Sequence, residues 1–376
     1  MLNRSITVLH LVHSLTVGGA ERVLVNVVNN TCDKYRHIIC SLTMIDIDFS
    51  KTINLDKVTI TCLNKKQGND FRLPLRIAQL CNKFSVDLIH AQGWGTYMEG
   101  VAGAKISRRK PAFVFAFRGK TIDDLAGVKY HRILAQRILA HFCSAILTPS
   151  WQMANEYAET IGINKKKIEI IYNGVDTAIY RPSDDSSAAK HLLRIPDNRI
   201  VFGCVARFDP VKNLHNLLIA FSCLAKVDEN VALLLVGDGE SKPGLERLID
   251  ELNLGDRVFM PGATTDVAAY YQAMDIYVQP SLYEGTSNTI LEAMSSGLPI
   301  VAGRFGGTPE LVTHGENGIL LDHVTAAGLL AGMQHLLSQP QLLHSFGCQN
   351  RNKILSQFSL LAMKDGYEQL FSKVVE

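Results

Sequence analysis

The sequence of 376 residues lacks any apolar stretch of the roughly 18 uncharged residues that a membrane-spanning helix needs. Its most apolar N-terminal segment, residues 6–17, is short, contains two histidines and lacks a small-residue cleavage site, which argues against a secretory signal. We therefore expect a cytoplasmic protein. Any membrane contact would be peripheral, at the inner face of the membrane.

Closely spaced cysteines are also missing. The eight cysteines are scattered, and no two stand in C-x-x-C spacing. Zinc sites and redox pairs usually show such spacing, so we expect reduced thiols in a reducing compartment and no bound metal. Hydrophobic residues make up 47% of the chain and charged residues 20%, which excludes general disorder.

No helix-turn-helix, zinc-finger or RNA-binding pattern is present, so nucleic acid is not an expected partner. Charge is uneven, because residues 1–180 hold 23 Lys and Arg against 14 Asp and Glu, whereas residues 181–376 hold 15 against 22. Halves of opposite sign indicate two domains with different ligands. We predict domains over residues 1–180 and 190–356. The amphipathic stretch at about 359–376 is predicted to cap the second domain or to pack back on the first.

Short apolar runs alternate with amphipathic segments in both halves of the chain. Ile6–Val12 and Ile200–Val205 are predicted strands, and Leu73–Phe84 and Leu214–Ala225 are predicted helices. Such β-α-β alternation favours a parallel sheet with helices on both faces. The predicted fold class is therefore α/β in each domain.

The richest polar segment lies between a predicted strand ending near Pro280 and a predicted helix beginning near Asn288. Glu284 lies in this loop and Glu292 lies one to two turns into the helix. Ligands of open α/β sheets bind at the carboxyl edge, and two carboxylates there suit a sugar and a ribose. The helix start offers the backbone N–H groups of Gly285, Thr286 and Ser287, followed by Asn288. Such N–H groups favour anions or hydroxyl-rich ligands. The alternative is a capped helix with Glu292 on a solvated face.

Two cations follow another predicted strand end. Arg207 comes directly after the strand, and Lys212 lies at the start of the next helix. This arrangement suits a diphosphate and needs no metal ion. The alternative is a pair of exposed basic side chains.

A glycine pair, Gly18 and Gly19, follows the first predicted strand. Glycines there let a ligand approach a helix N-terminus closely. The pattern is not G-x-G-x-x-G, so a nicotinamide-dependent dehydrogenase is not expected.

Taken in order, these motifs resemble those of the retaining GT-B glycosyltransferases of family 4, the glycosyl transferase group 1 proteins. The resemblance runs over nearly the whole chain and rests on Gly18-Gly19-Ala20-Glu21-Arg22, Tyr172-Asn173-Gly174-Val175-Asp176, Arg207 with Lys212, Val236-Gly237-Asp238-Gly239, Glu284 with Glu292, and Gly306-Gly307-Thr308-Pro309-Glu310. It implies two Rossmann-like domains facing across a cleft, with the acceptor on the N-terminal side and a nucleotide sugar on the C-terminal side.

The resemblance also implies roles for individual residues. Arg207 and Lys212 would bind the donor diphosphate, Glu292 the ribose, and Glu284 with the amides after it the donor sugar. The loop of Gly18 and Gly19 would lie near the diphosphate. Two positions depart from the family: Arg118 stands where a histidine is usual, and His90-Ala91-Gln92 replaces His-x-His. Both His90 and Arg118 are kept as candidates on the acceptor or donor-sugar side. The alternative for His90 is a core histidine at a strand end.

The expected reaction transfers a sugar from a nucleotide diphosphate to a glycan or lipid-linked glycan, with retention and without a metal or other cofactor. The basic first domain, including the loop at residues 105–110, suits an anionic membrane. One alternative is another GT-B enzyme, such as a nucleotide-sugar 2-epimerase. A second is a non-catalytic protein that binds nucleotide sugars.

Overall fold

A computed structural model of the protein describes residues 5–68, 70–119, 127–183, 185–264 and 266–376. The chain forms two compact units. Unit 1 comprises Met1–Gly174 and Leu360–Glu376, and unit 2 comprises Val175–Ser359. Each unit is built on its own parallel sheet.

The sheet of unit 1 has seven strands in the order β3-β2-β1-β4-β5-β6-β7. These strands are β1 (Ile6–Val12), β2 (Tyr35–Ser41), β3 (Val58–Cys62), β4 (Leu88–Gln92), β5 (Ala112–Ala116), β6 (Ala145–Thr148) and β7 (Ile168–Ile170). Every residue of β1 is buried, as expected for a central strand of a parallel sheet that is covered on both faces.

Helices cover both faces of this sheet. They are α1 (Gly19–Asn30), α2 (Ile47–Ser50), α3 (Leu73–Phe84), α4 (Trp94–Ile106), α5 (Tyr130–Ala140) and α6 (Trp151–Ile161). Local chemistry sets their ends. The Ser150 hydroxyl accepts from the Met153 N–H to begin α6, and Gly162, at φ 68°, ends it.

The sheet of unit 2 has six strands in the order β10-β9-β8-β11-β12-β13. They are β8 (Ile200–Val205), β9 (Val231–Val236), β10 (Val258–Gly262), β11 (Ile276–Gln279), β12 (Ile300–Gly303) and β13 (Gly318–Leu321). The helices of this unit are α7 (Ser186–Leu192), α8 (Leu214–Ala225), α9 (Lys242–Glu251), α10 (Ala268–Gln272), α11 (Asn288–Ser295), α12 (Thr308–Leu311), α13 (Ala326–Leu337) and α14 (Pro340–Gln357). The order is that of a Rossmann fold, with the switch point between β8 and β11.

The last helix, α15 (Leu360–Val375), belongs to unit 1. Its Tyr367 and Phe371 are fully buried against the unit 1 sheet. The Glu368 carboxylate accepts the Cys32 N–H at 2.7 Å, and the Tyr35 hydroxyl donates to the Glu368 carbonyl oxygen at 2.8 Å. In the described parts of the chain, no helix combines the length and apolar character that crossing a membrane requires.

Candidate active site

The switch point of unit 2 brings two loops to one edge of the sheet. β8 and β11 are neighbouring parallel strands, with Tyr277 in register with Gly203. The loop from β8 to α8 therefore leaves the sheet beside the loop from β11 to α11. Open α/β sheets bind ligands outside the carboxyl ends of their strands, at such a switch point.

Backbone contacts hold these two loops together. The Leu282 N–H donates to the Val211 carbonyl oxygen at 2.8 Å. The side-chain amide of Asn213 adds two more contacts. It donates to the Pro280 carbonyl oxygen at 3.0 Å and to the Val324 carbonyl oxygen at 2.7 Å. The two loops thus form one hydrogen-bonded surface at the sheet edge.

The β8 loop is shaped by the glycine turn that follows β9. Gly239 has φ 156°, and a Cβ there would lie 2.4 Å from the Phe208 carbonyl oxygen. Gly237 has φ 147°, and its Cβ would lie 1.8 Å from the Ala206 carbonyl oxygen. Only glycine fits such close backbone contact with positive φ, so this turn fixes the segment that carries Arg207.

The structure brings Lys212 and Glu284 together. Lys212 ends a short 3₁₀ turn, Pro210–Lys212, whose cap is the Asp209 carboxylate. Its Nζ lies 2.7 Å from Glu284 Oε1, and both side chains are largely buried, at 21% and 15% exposure. A predicted phosphate-binding cation and a predicted sugar-binding acid therefore form one ion pair across the two loops.

Arg207 lies on the same loop and pairs locally. Its Nη2 lies 2.7 Å from Asp209 Oδ2 and its Nε 2.8 Å from the same oxygen. The Arg207 side chain is 72% exposed. Asp209 thus orients Arg207 through its side chain and accepts from the Lys212 N–H at 3.3 Å, which links the two cations through one carboxylate.

Glu284 is supported from the opposite side by the Gly306–Gly307 turn. The Gly307 N–H donates to the Gly285 carbonyl oxygen at 2.6 Å. Gly306 has φ 53°, and a Cβ there would lie 1.6 Å from the Glu284 carbonyl oxygen. The turn after β12 therefore packs directly on the backbone of the loop that carries the carboxylate.

The helix α11 carries the second acid. The Ser287 hydroxyl caps it by accepting from the Ile290 N–H, which places Thr286 and Asn288 on either side of the helix start. Glu292 is buried, and its Oε2 accepts from the Tyr271 hydroxyl at 2.8 Å. Burial, followed by the Glu292 charge, raises the pKa of Tyr271 well above its ordinary value, so this phenol stays a hydrogen-bond donor.

The predicted glycines of unit 1 lie at the carboxyl end of β1. Gly18 precedes α1, and its carbonyl accepts the Arg22 N–H at 2.9 Å, while Gly19 is the first helical residue. A Cβ at Gly18 would lie 2.3 Å from Glu21 Oε2. The Glu21 carboxylate therefore folds back over the helix start. Arg118 follows β5, where its Nη1 lies 3.4 Å from Asn173 Oδ1 and its Nη2 donates to the Tyr367 hydroxyl.

His90 lies in the core of unit 1, which is the alternative to a place beside a ligand. Its imidazole is fully buried in the middle of β4, packed edge-on against Tyr367 of α15. Its Nδ1 lies 2.9 Å from His10 Nδ1, and His10 Nε2 lies 2.9 Å from His37 Nδ1. This row of hydrogen-bonded imidazoles ends at the Thr31 hydroxyl, which lies 2.6 Å from His37 Nε2. His90 is therefore a core residue of a buried histidine chain that crosses β2, β1 and β4.

Burial keeps this histidine chain neutral. It lowers the pKa of His37 to about 4, with a smaller contribution from Lys57. The pKa of His90 falls to about 3 through burial, the Arg118 charge and His37. The pKa of His10 is lowered well below its ordinary value, mainly by burial. The sequence alone does not reveal this histidine chain, because its hydrogen-bonded pairs are 27 and 80 residues apart and only strand pairing aligns them.

Two further residues of the unit 2 site were not predicted. Tyr271 binds Glu292, and Gln279, the last residue of β11, donates to Glu284 Oε1 at 2.8 Å. A polar residue ending an apolar strand is the signal that could have identified Gln279. Within the described ranges, no cluster of three or more His, Cys, Asp or Glu side chains is arranged to hold a metal ion.

Two Rossmann-like domains, each on its own parallel sheet, are the architecture of the GT-B glycosyltransferase fold. Comparison with known proteins agrees. The family model for Glycosyltransferase Family 4 matches residues 17–179, and the model for glycosyl transferases group 1 matches residues 185–353. The chain belongs to the family 4 glycosyltransferases and is a glycosyltransferase enzyme.

Relatives span the chain almost completely. It is 29% identical over 371 residues to the lipopolysaccharide core biosynthesis glycosyltransferase LpsD of Rhizobium meliloti, covering 98% of both. It is 25% identical to the UDP-Gal:alpha-D-GlcNAc-diphosphoundecaprenol alpha-1,3-galactosyltransferase of Escherichia coli, over 85% of this chain and 83% of that one. The fold matches HepE of Anabaena, solved with UDP-glucose, at a TM-score of 0.85 and 24% identity, covering 98% and 100% of the two chains.

Proposed function

We propose that the enzyme transfers a hexose from a nucleotide-diphosphate sugar to a glycan or lipid-linked glycan, with retention of configuration, in the synthesis of a cell-surface polysaccharide. The names of the relatives support the substrate class, since they act in lipopolysaccharide core synthesis and on a diphosphoundecaprenol-linked sugar. The observation that carries the proposal is the Lys212–Glu284 pair at the carboxyl ends of β8 and β11.

Lys212 is suited to the departing diphosphate. An ammonium group has three donors, and one of them is directed to Glu284, which leaves two for phosphate oxygens. Arg207, on the same loop, adds a second positive charge that is open to solvent. Stabilising charge on a leaving group is usually the largest catalytic term, so these two side chains supply the main rate enhancement.

The two acids suit the two carbohydrate parts of the donor. Glu284, in the loop, would accept from hydroxyls of the transferred sugar, with the backbone N–H groups of Gly285 and Thr286 beside it. Glu292, inside α11, would accept from the ribose hydroxyls. Neither role needs a metal ion, because carboxylates accept directly from sugar and ribose hydroxyls.

Retention is expected through a front-face reaction. The bond from the anomeric carbon to the diphosphate oxygen breaks, and a bond to the acceptor oxygen forms on the same face. The acceptor hydroxyl proton passes to the leaving phosphate oxygen, so no protein base is required. Glu284 is already bound to Lys212, which suits a role in holding the sugar rather than in forming a covalent intermediate. A trapped glycosyl-enzyme would contradict this mechanism.

Unit 1 would receive the acceptor. An anionic membrane is a suitable surface for a lipid-linked acceptor. Phe71 is 87% exposed and Leu75, in α3, is 52% exposed, and both lie beside the basic residue Arg72. Basic residues interleaved with exposed apolar ones favour binding at an anionic interface.

The test is a thermal-shift screen of UDP-, GDP- and ADP-linked sugars, followed by assay of nucleoside diphosphate release. A ligand present at about 100 times its dissociation constant stabilises the folded state by about 2.7 kcal/mol. Lys212→Gln should lower kcat about 100- to 1,000-fold, as expected for loss of one electrostatic stabiliser. Lys373→Gln is the matched control, because Lys373 also forms a close ion pair, 2.6 Å from Glu169, but in unit 1.

The outcomes separate the alternatives. Normal turnover by Lys212→Gln, or equal losses in both variants, would refute the proposed role of Lys212. A stabilising nucleotide sugar that is never consumed with any acceptor would favour a binding protein. Conversion of the donor to its 2-epimer without an acceptor would favour an epimerase.

A further inference from the structure

Gln279 occupies the centre of a buried hydrogen-bond network beside Glu284. It is the last residue of β11 and is 2% exposed. Its Nε2 lies 2.8 Å from Glu284 Oε1 and 2.6 Å from the Ser281 hydroxyl. Its Oε1 lies 2.8 Å from the Tyr277 hydroxyl and 3.1 Å from the Thr289 hydroxyl.

These four contacts use the full capacity of a carboxamide, which has two N–H donors and an oxygen with two lone pairs. The contact with Glu284 fixes its orientation. An ionised carboxylate only accepts, so the amide nitrogen faces Glu284 and the amide oxygen faces the hydroxyls of Tyr277 and Thr289. The amide is therefore held on one side by a strand residue and on another by the first turn of α11.

The network reaches Glu284 from the rigid sheet. Glu284 lies in a loop, whereas Gln279 is fixed by the β11–β12 pairing, with Gln279 in register with Ala302. Lys212 and Gln279 both bind the same carboxylate oxygen, Oε1. These contacts leave Oε2 as the oxygen that can accept from a ligand, and they set the direction in which it points.

We propose that Gln279 is a positioning residue, whose side-chain amide fixes the Glu284 carboxylate for recognition of the donor-sugar hydroxyls. This inference rests on the proposed function, because it assigns the donor sugar to Glu284. In this role Gln279 does not touch the substrate. It holds the Glu284 side chain in one rotamer. The loop thereby gains the precision of a strand residue, as catalytic groups require.

The test uses two substitutions that differ in charge. Gln279→Leu removes the donor to Glu284. Gln279→Glu keeps the size and the oxygen that faces Tyr277 and Thr289, but opposes a second carboxylate to Glu284. Like charges at this distance raise the pKa of the pair, so one proton is taken up as pH falls. The introduced carboxyl group, once protonated, then donates to Glu284 as the amide does.

Two other titratable neighbours, Tyr277 and Cys204, stay protonated during this test. Burial raises the pKa of Tyr277 well above its ordinary value and that of the Cys204 thiol to about 12. Lys212 is present in every variant. Ser222→Ala is the control, since it removes another buried hydroxyl of unit 2, one that donates to the Ile219 carbonyl within α8 and takes no part in the Gln279 network.

The measurement is nucleoside diphosphate release from UDP-glucose, UDP-galactose, UDP-N-acetylglucosamine, GDP-mannose and ADP-glucose at pH 6.0, 7.0 and 8.0. We expect Gln279→Leu to lower kcat/KM about 10-fold or more at every pH, the effect of losing a hydrogen bond to a charged group. Gln279→Glu should be as impaired at pH 8.0 and should recover towards wild type at pH 6.0. Ser222→Ala should change kcat/KM by less than about threefold.

Each outcome decides a different claim. If Glu284→Gln is inactive but Gln279→Leu and Gln279→Glu keep wild-type kcat/KM, the proposed function stands and the positioning role of Gln279 is refuted. Equal, pH-independent losses in Gln279→Glu and Gln279→Leu would show only a structural role for Gln279 and would also refute the inference. Wild-type protein that releases no nucleoside diphosphate from any of the five donors, and is stabilised by none, would overturn the proposed function itself.

Discussion

The buried histidine chain predicts that unit 1 loses stability in mild acid. His10, His37 and His90 are neutral and fully or almost fully buried in the folded protein, whereas in the unfolded chain each titrates near pH 6.5. Below that pH the unfolded state binds more protons than the folded state. Its free energy therefore falls relative to the folded state, and the free energy of unfolding decreases as pH falls.

The size of the effect follows from the lowered pKa values. A histidine that stays neutral in the folded state loses about 1.4 kcal/mol per pH unit below pH 6.5, until its folded pKa is reached. For His37 and His90, with pKa values of about 4 and about 3, the loss between pH 6.5 and 5.0 is about 2 kcal/mol each. His10 acts in the same direction. Native domains have only about 5–15 kcal/mol of stability, so the combined loss is readily measured.

Urea unfolding followed by tryptophan fluorescence measures this effect in the correct unit. The sequence has two tryptophans, and both Trp94 and Trp151 lie in unit 1. His90→Gln should reduce the loss between pH 7 and pH 5 by about 2 kcal/mol, one histidine's contribution. His13→Gln, at an exposed position after β1, is the control and should keep the wild-type pH dependence. A free energy of unfolding that is constant from pH 7 to pH 5, or parallel curves for wild type and His90→Gln, would refute this reasoning.

Two other predictions concern the loop support and the membrane. Gly306→Ala should abolish most donor turnover and lower Tm, because the new Cβ collides with the Glu284 carbonyl oxygen. Gly315→Ala is the control, because Gly315 also has a positive φ of 79° but a Cβ there would meet no atom within 4 Å. It should lower Tm through backbone strain and keep turnover. In a flotation assay, liposomes containing anionic phospholipid should carry the protein at low salt and release it at high salt. Phe71→Ser should weaken this binding. Absence of the protein from the liposome fraction at low salt would contradict membrane association.

Much of the fold could be read from local pattern. The strands Ile6–Val12 and Ile200–Val205 and the helices Leu73–Phe84 and Leu214–Ala225 have the predicted bounds. The strands are continuous apolar runs and the helices are amphipathic segments. Both patterns follow from burial, which hydrophobic spacing records directly.

The helix Trp94–Ile106 shows where local pattern fails. It is apolar on more than one side, so it has no single amphipathic face. Its small residues are explained by neighbours distant in sequence, because a Cβ at Gly100 would lie 2.9 Å from Phe113 and one at Gly103 would lie 2.6 Å from Ile77. Close packing between elements, rather than periodicity, defines this helix.

Local sequence pattern predicts the alternation of strands and helices, the family, and the identity of the charged residues near the carboxyl ends of β8 and β11, because each depends on residues close together in the chain. Three relations follow only from the folded arrangement of the elements: Lys212 pairs with Glu284, His90 is a core residue, and Gln279 binds Glu284. Those relations depend on which strands are neighbours and how each side chain is oriented, and parallel strand pairing joins segments that lie tens of residues apart.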